Sequence, residues 1–219
     1  MIVAFAASKG GVGKTTLAIN TTIARSLAKR DVLLVDGDTQ GSAADFTALR
    51  IELTGKNGYT VARHYGTELR DQVRRQAGKY DDTIIDVGGR DAGGAESNSL
   101  RAALVVADTV VIPVQPRTFD VWSTSLMGGI VREARHVNEK LRAVAVLNMA
   151  DPSGTDNGEA IEAISGIEGI ECLEVMIGRR KAFPSAASSG LSVIEQPRAD
   201  QKAVAELESL VAAIFGERE

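Results

Sequence analysis

An α/β domain, a predominantly parallel twisted sheet with helices on both faces, is the fold class this sequence predicts, and three observations predict it. Short runs rich in Val, Ile and Leu alternate with helix-length segments along the whole chain. The runs are apolar nearly throughout, as strands buried on both faces are. The first of them, Ile2 to Ala7, empties directly into a lysine- and glycine-rich turn that opens a helix.

That turn reads Ser8-Lys9-Gly10-Gly11-Val12-Gly13-Lys14-Thr15-Thr16. Three glycines let the backbone bend sharply and aim its N–H groups inward, and the helix that follows presents its positive end to an anion. The segment is therefore a phosphate cradle. Lys14 supplies a point charge for terminal phosphates, and the Thr15 hydroxyl is placed for Mg²⁺.

Lys14 to Lys29 reads as a helix with Leu17, Ala24 and Leu27 on one face, and Asp31 to Asp36 as a second buried strand. Asp36-Gly37-Asp38-Thr39-Gln40-Gly41 follows at the strand end, where open α/β sheets bind their ligands. Ala43 to Leu53 is helical, Thr54 to Gly58 a break, and Tyr59 to Tyr65 a short edge strand. Thr67 to Lys79 is a polar helix whose Arg70, Arg74, Arg75 and Lys79 read as a solvated face in preference to a DNA patch.

Thr83 to Asp86 is another buried strand ending in a carboxylate, and Val87-Gly88-Gly89-Arg90-Asp91-Ala92-Gly93-Gly94 after it has the flexible backbone of a nucleotide-sensing loop. Arg90 either pairs with Asp91 locally, the favoured reading, or touches a dimer mate. The alternation continues with a helix from Glu96 to Ala107, a strand from Thr109 to Val114, and a long helix from Phe119 to Glu139. The strand Leu141 to Leu147 ends at Asn148. A helix (Asp156 to Ile164), a strand (Glu171 to Ile177), a helix (Arg179 to Ser188) and a short strand (Val193-Ile194) lead to the last helix, Ala199 to Phe215.

That last helix carries Val204, Leu207, Val211 and Ile214 on one stripe. Its other face offers Glu206 and Glu208, and the tail is acidic, where an anionic lipid surface demands Lys and Arg; the helix is expected to pack on the domain, with no membrane role. The 219 residues are expected to form a single domain, 1–219, with no N-terminal helix-turn-helix unit. A net charge of −4 excludes a globally basic nucleic-acid binder and leaves only regional contacts. Cys172 is the only cysteine, which excludes an intrachain disulfide or a Cys-x-x-Cys site and fits a reducing cytoplasm. His64 and His136 have no partner at metal-ligand or triad spacing, and Trp122 reads as a packing residue.

The cradle departs from the ordinary pattern of Gly, four residues, then Gly-Lys-Ser/Thr. The first glycine position is Ser8, and Lys9 stands before the Gly-Gly pair. In this deviant Walker A spacing, in Val35-Asp36-Gly37-Asp38-Thr39-Gln40-Gly41, in Ile84-Ile85-Asp86, in Ile112-Pro113-Val114-Gln115-Pro116 and in Leu147-Asn148, the chain resembles the ParA/MinD family of P-loop ATPases, most of all the short plasmid-partition members. The resemblance implies ATP and Mg²⁺ as ligands, with Lys9, Gly10, Gly11, Val12, Gly13, Lys14, Thr15 and Thr16 around the phosphates. It implies that Asp38 orients the attacking water, that Thr15, Asp38 and Asp86 serve the metal, with Asp36 supporting its shell, and that Asn148 reads adenine. Spacing alone leaves Asn148 equally open to capping the next turn. Lys9, too close to Lys14 to share its phosphates, is implied to reach the partner's nucleotide in an ATP-state homodimer.

The resemblance also implies a cytoplasmic, nucleoid-associated protein, a ParB-like activator, and nonspecific DNA binding, for which Arg179, Arg180, Lys181, Arg198 and Lys202 are the basic candidates. Those arginines are as open to facing the nucleotide or solvent, Arg179 in particular. Val87 stands where many ATPases carry a glutamate base, so hydrolysis is expected to be slow and partner-stimulated. Where many relatives have Asp-Thr-Pro-Pro, this chain has Asp86-Val87-Gly88-Gly89. Four functions remain in view: a motor that segregates DNA, a positioner of some other cargo, a metabolic P-loop ligase of the dethiobiotin-synthetase kind, and a regulatory binding module with weak or no turnover.

Overall fold

The structure, a computed structural model, describes residues 1–89, 95–116, 118–151, 154 and 156–216, and for residues 95–96 and 118–123 the backbone alone. Arg90, Asp91, the side chain of Trp122 and the tail Glu217 to Glu219, on which the sequence raised expectations, lie outside the described residues.

Strands and helices alternate in chain order. They are β1 (Ile2–Phe5), α1 (Lys14–Leu27), β2 (Val32–Gly37), α2 (Ser42–Thr54), β3 (Thr60–Arg63), α3 (Glu68–Gln76), β4 (Asp82–Val87) and α4 (Ala95–Val106). Then come β5 (Thr109–Val114), α5 (Thr118–Arg135), β6 (Arg142–Ala150), α6 (Asp156–Ser165), β7 (Glu171–Gly178), α7 (Ala182–Ser188) and α8 (Gln201–Phe215). The seven strands form one sheet in the order β3-β2-β4-β1-β5-β6-β7, and every pairing is parallel. The fold class expected from the sequence is the one found.

The period of two along each strand divides the core. Val3 and Phe5 of β1 turn to the face covered by α1, α2, α7 and α8, and Ala4 and the following Ala6 to the face covered by α3, α4, α5 and α6. Residues at both kinds of position are buried, so each strand is apolar without alternation, and each fully buried aliphatic side chain contributes about 2 kcal/mol. At the N-terminal edge of the sheet, buried Arg25 of α1 donates from Nε to Asp82 (2.8 Å) and lies 4.1 Å from the centroid of the Phe215 ring. This locks α1 to β4 and α8 at the pole opposite the phosphate loop.

Three expected elements differ. Val193-Ile194 is not a strand but part of a 3-10 turn, Val193–Glu195, closed by a capping box between Ser192 and Glu195. Asn20 of α1 accepts from Ser192 Oγ (2.7 Å) and Val193 N (3.1 Å), so the segment is spent on helix contacts and adds no strand. The seventh helix starts at Ala182 and not at Arg179, because β7 runs to Gly178 and Arg179 N still donates to Ala150 O (2.8 Å). The long fifth helix stops at Arg135; beyond it Asn138 donates to the carbonyls of Leu104 (2.9 Å) and Ala107 (2.8 Å) and ties the connection to α4.

Candidate nucleotide site

Because β1, β2, β4 and β6 are parallel, their C-terminal ends lie at one rim of the sheet, and the loops that leave them meet there. β4 is hydrogen-bonded to β1 on one side and β2 on the other, with Asp86 in register with both Phe5 and Asp36. Two carboxylates on neighbouring strand ends, with the phosphate loop beside them, is the convergence expected from the sequence.

The loop enters α1 through Gly13, which has φ 94° and ψ 19°. A Cβ there would lie 2.2 Å from the Asn148 amide nitrogen, so both conformation and space require glycine. No side chain caps the N-terminus of α1. The first-turn N–H groups of a helix have no intrahelical partner, so they face the cleft as donors for an anion. Lys14 is 6% exposed, and its ammonium donates to the Lys9 carbonyl at 3.3 Å. Lys9 is half-buried on the same turn.

Gly10, Gly11, Gly13, Lys14, Thr15 and Thr16 line a cleft of about 490 Å³, closed on its far side by Asp38, Gln40, Ser42, Gly89 and Met149. A second pocket of about 270 Å³ shares Thr16 and Met149 with it and is lined further by Leu17, Asn148, Gly178, Arg179, Arg180, Phe183, Pro184 and Ala187. The polar cleft suits a phosphate chain, and the more apolar pocket next to it suits a planar base.

The carboxylates have separate tasks. Asp36 is fully buried; one oxygen accepts from Asp38 N (3.1 Å) and the other from Ala44 N (2.8 Å), in the first turn of α2. Burial raises its pKa, against the two backbone donors that lower it. Both oxygens are therefore engaged in shaping the loop that carries Asp38, beside the place where Asp36 is expected to support the metal shell. Asp38 is half-buried, accepts from Gln40 N (2.9 Å), and lines the cleft. Asp86 is fully buried; the Thr15 hydroxyl stands near enough to act on its carboxylate, but no hydrogen bond of full geometry reaches either oxygen. Burial drives its pKa to about 7; the Thr15 hydroxyl and Lys14 ammonium pull it down, and Asp36 and Asp38 push it up. An unpaired buried carboxylate is costly, and a cation at this place removes the cost. Val87, next in the chain, is fully buried in the core and offers no proton acceptor.

The loop after β4 approaches the phosphate loop directly. A Cβ on Gly89 would lie 3.3 Å from Gly10 N and from the Lys9 carbonyl carbon, so glycine permits this contact. Asn148 is 3% exposed and donates to Val12 O (2.7 Å), so it braces the phosphate loop while it lines the second pocket.

Sequence reasoning missed three supporting residues. Gln115, at the end of β5, donates to Gly11 O (2.9 Å) and gives the loop a second brace next to that of Asn148. Met149, in the left-handed region at φ 55°, separates the two pockets. Glu206, expected on the solvated face of the last helix, is instead turned inward onto Arg180 (2.8 Å from Nε) and Gly178 N (3.0 Å). Gln115 and Met149 carried a signal in their strand-end positions; Glu206 carried none. Of the five basic candidates for DNA, Arg180 is consumed by Glu206, whereas Arg179, Lys181, Arg198 and Lys202 are exposed. Neither histidine lines either pocket; His64 instead meets Gln76 at 2.9 Å.

Residues 3–193 match the CobQ/CobB/MinD/ParA nucleotide binding domain. The maintenance of carboxysome distribution protein A of Gloeobacter kilaueensis is 32% identical over 214 residues, covering 94% of this chain and 92% of that one. The chromosome partitioning protein ParA of Myxococcus xanthus is 26% identical, covering 88% and 80%. Among solved structures, the septum site-determining protein MinD of Pyrococcus horikoshii, complexed with Mg-ADP, superposes with a TM-score of 0.76 at 18% identity over 98% of this chain and 95% of that one.

Proposed function

The chain belongs to the CobQ/CobB/MinD/ParA nucleotide-binding family, and from that premise we propose that it is an ATPase of the ParA type, which dimerises on ATP and uses hydrolysis to time the release of a large cargo. The single observation that carries this reading is the cradle at Gly13, an uncapped helix start beside a buried, unpaired Asp86 and a cleft-lining Asp38.

In this reading the triphosphate lies on the N–H groups of residues 10–16 with Lys14 at its end, and the base enters the pocket walled by Asn148 and Arg179. Asp86 and Thr15 hold Mg²⁺, whose positive charge, when it is bound, neutralises charge on the transferred phosphoryl group. The donors present fit a hard oxygen-seeking ion: a hydroxyl beside a carboxylate that no full hydrogen bond satisfies. Asp38, which lines the cleft and whose backbone N–H Asp36 holds, orients the attacking water. Lys9 serves the nucleotide of the second subunit, which makes the dimer depend on ATP. With Val87 in place of a base, turnover is slow until an activator completes the site.

The cargo is DNA, carried through nonspecific contacts at Arg179, Lys181, Arg198 and Lys202, or a large body other than DNA. The second reading is favoured by the 32% identity to a carboxysome distribution protein over nearly the whole of both chains. A metabolic ligase needs a small-substrate site beyond the phosphates, while one nucleotide accounts for both clefts at the sheet rim.

The test is the mass of the protein in solution together with its turnover. Asp38→Ala is expected to remain a dimer in saturating ATP with hydrolysis abolished, and Lys9→Ala to bind ATP but stay monomeric. A monomeric Asp38→Ala protein under saturating ATP overturns the assignment. Absence of DNA binding by the ATP-loaded dimer at low salt overturns the DNA contacts alone.

A further inference from the structure

The base pocket is bounded by a segment that α8 holds from behind. Arg179, Arg180 and Lys181 connect the end of β7 at Gly178 to the start of α7 at Ala182, and Gly178, Arg179 and Arg180 line the pocket. One side of this segment is fixed by Arg179 N donating to Ala150 O on β6. The other side is fixed by Glu206, in the middle of α8. Its Oε2 accepts from Gly178 N (3.0 Å) and Arg180 Nε (2.8 Å), and its Oε1 from Arg180 Nη2 (2.5 Å). The pair is partly sequestered, with Arg180 16% and Glu206 22% exposed. Three donors converge on one carboxylate, a geometry that fixes direction as well as distance. Neither Arg180 nor Glu206 lines the phosphate cleft.

We propose that Glu206 is a positioning residue for nucleobase recognition. It sets the height of Gly178 to Arg180 above Asn148 and Met149, so the pocket stays open to a planar base and closed to bulkier groups, while the phosphate cradle is untouched. The proposal rests on the reading that this pocket takes the base of a nucleotide whose phosphates lie on residues 10–16.

The acceptor must be ionised and two-oxygened. Glutamine in its place keeps the shape but points an N–H₂ group at donors, leaving at least one of them unpaired. Removing Arg180 instead leaves Glu206 still holding Gly178 N–H, so the segment loosens at one end only.

Calorimetric titrations of ATP and of inorganic tripolyphosphate test this on the full chain. Glu206→Gln is expected to weaken ATP by about 10- to 100-fold, the range for lost hydrogen bonds to a charged group. Tripolyphosphate affinity is expected to stay within about 2-fold, a change of under half a kcal/mol. Arg180→Met is expected to fall between wild type and Glu206→Gln for ATP, and serves in place of Glu206→Gln should that variant not fold. Equal weakening of both ligands, or unchanged ATP affinity, overturns the proposal. If wild-type protein binds tripolyphosphate as tightly as ATP, the base-pocket reading itself fails and takes the proposal with it. Wild-type preference for ATP with a Glu206→Gln effect on both ligands refutes only the role of Glu206.

Discussion

Gly13→Ala isolates the geometry on which the cradle depends. A residue with a Cβ at φ 94° is forced into the left-handed region, which costs about 1–2 kcal/mol. The added methyl also lies 2.2 Å from Asn148 Nδ2, well inside the roughly 3.5 Å at which heavy atoms settle. Asn148 then has to swing away and give up its 2.7 Å bond to Val12 O, for about a further 1–2 kcal/mol. The sum is about 3 kcal/mol, or about 6–12 °C in Tm for a chain of this size. Asn148→Ala alone loses only the hydrogen bond. In the double variant the methyl no longer meets the amide, so the two costs overlap by about 1–2 kcal/mol. Urea unfolding of wild type, both single variants and the double variant measures this overlap. Strictly additive free energies, or a Gly13→Ala protein as stable as wild type, refute the reasoning.

Arg50 of α2 is 5% exposed and forks onto Glu195 with two 2.7 Å bonds, while also donating to the carbonyls of Gly190 (2.8 Å) and Asn57 (2.9 Å). Arg50→Met leaves these acceptors unpaired and is expected to cost about 3 kcal/mol in urea unfolding. Burial raises the pKa of Glu195, but the Arg50 fork and the Ser192 N–H outweigh it and hold the value below the usual 4.5. The stabilisation is therefore full above pH 4.5 and is lost as pH falls through the depressed folded value, so the gap between wild type and Arg50→Met is expected to be flat from neutral pH to mild acid and to close below that. A gap that widens in acid contradicts the assignment. Met149 at φ 55° predicts that Met149→Val is about 1–2 kcal/mol less stable than Met149→Asn, since asparagine tolerates that backbone and a β-branched residue does not; equal urea midpoints for the two refute it.

Much of the rim chemistry is legible in the chain because it is local. Gly13-Lys14-Thr15 are neighbours in sequence and act through one turn and the helix start that follows it. Asp36 and Asp86 are each the closing residue of an apolar run, and strand ends in a parallel sheet share one rim. Legibility stops where a side chain's partner is distant. Arg50 and Glu195 are 145 residues apart, and nothing in the composition of either helix or turn joins them. Asp36 reads as a support of the metal shell, and the sequence does not show that both its oxygens hold the loop from Asp38 to Ala44.

The sequence by itself determined the layered α/β class, the phosphate cradle and the rim on which Lys14, Asp38 and Asp86 meet, because hydrophobic periodicity and backbone requirements act over a few residues. Only the tertiary structure decided that β2 flanks β4 on the side away from β1, that Val193-Ile194 turns instead of pairing, and that Glu206 turns inward onto Arg180 and Gly178 N. Those outcomes depend on which buried donors and acceptors find each other across long stretches of chain. A glutamate on an amphipathic helix has the same local pattern whether water or a distant arginine satisfies it.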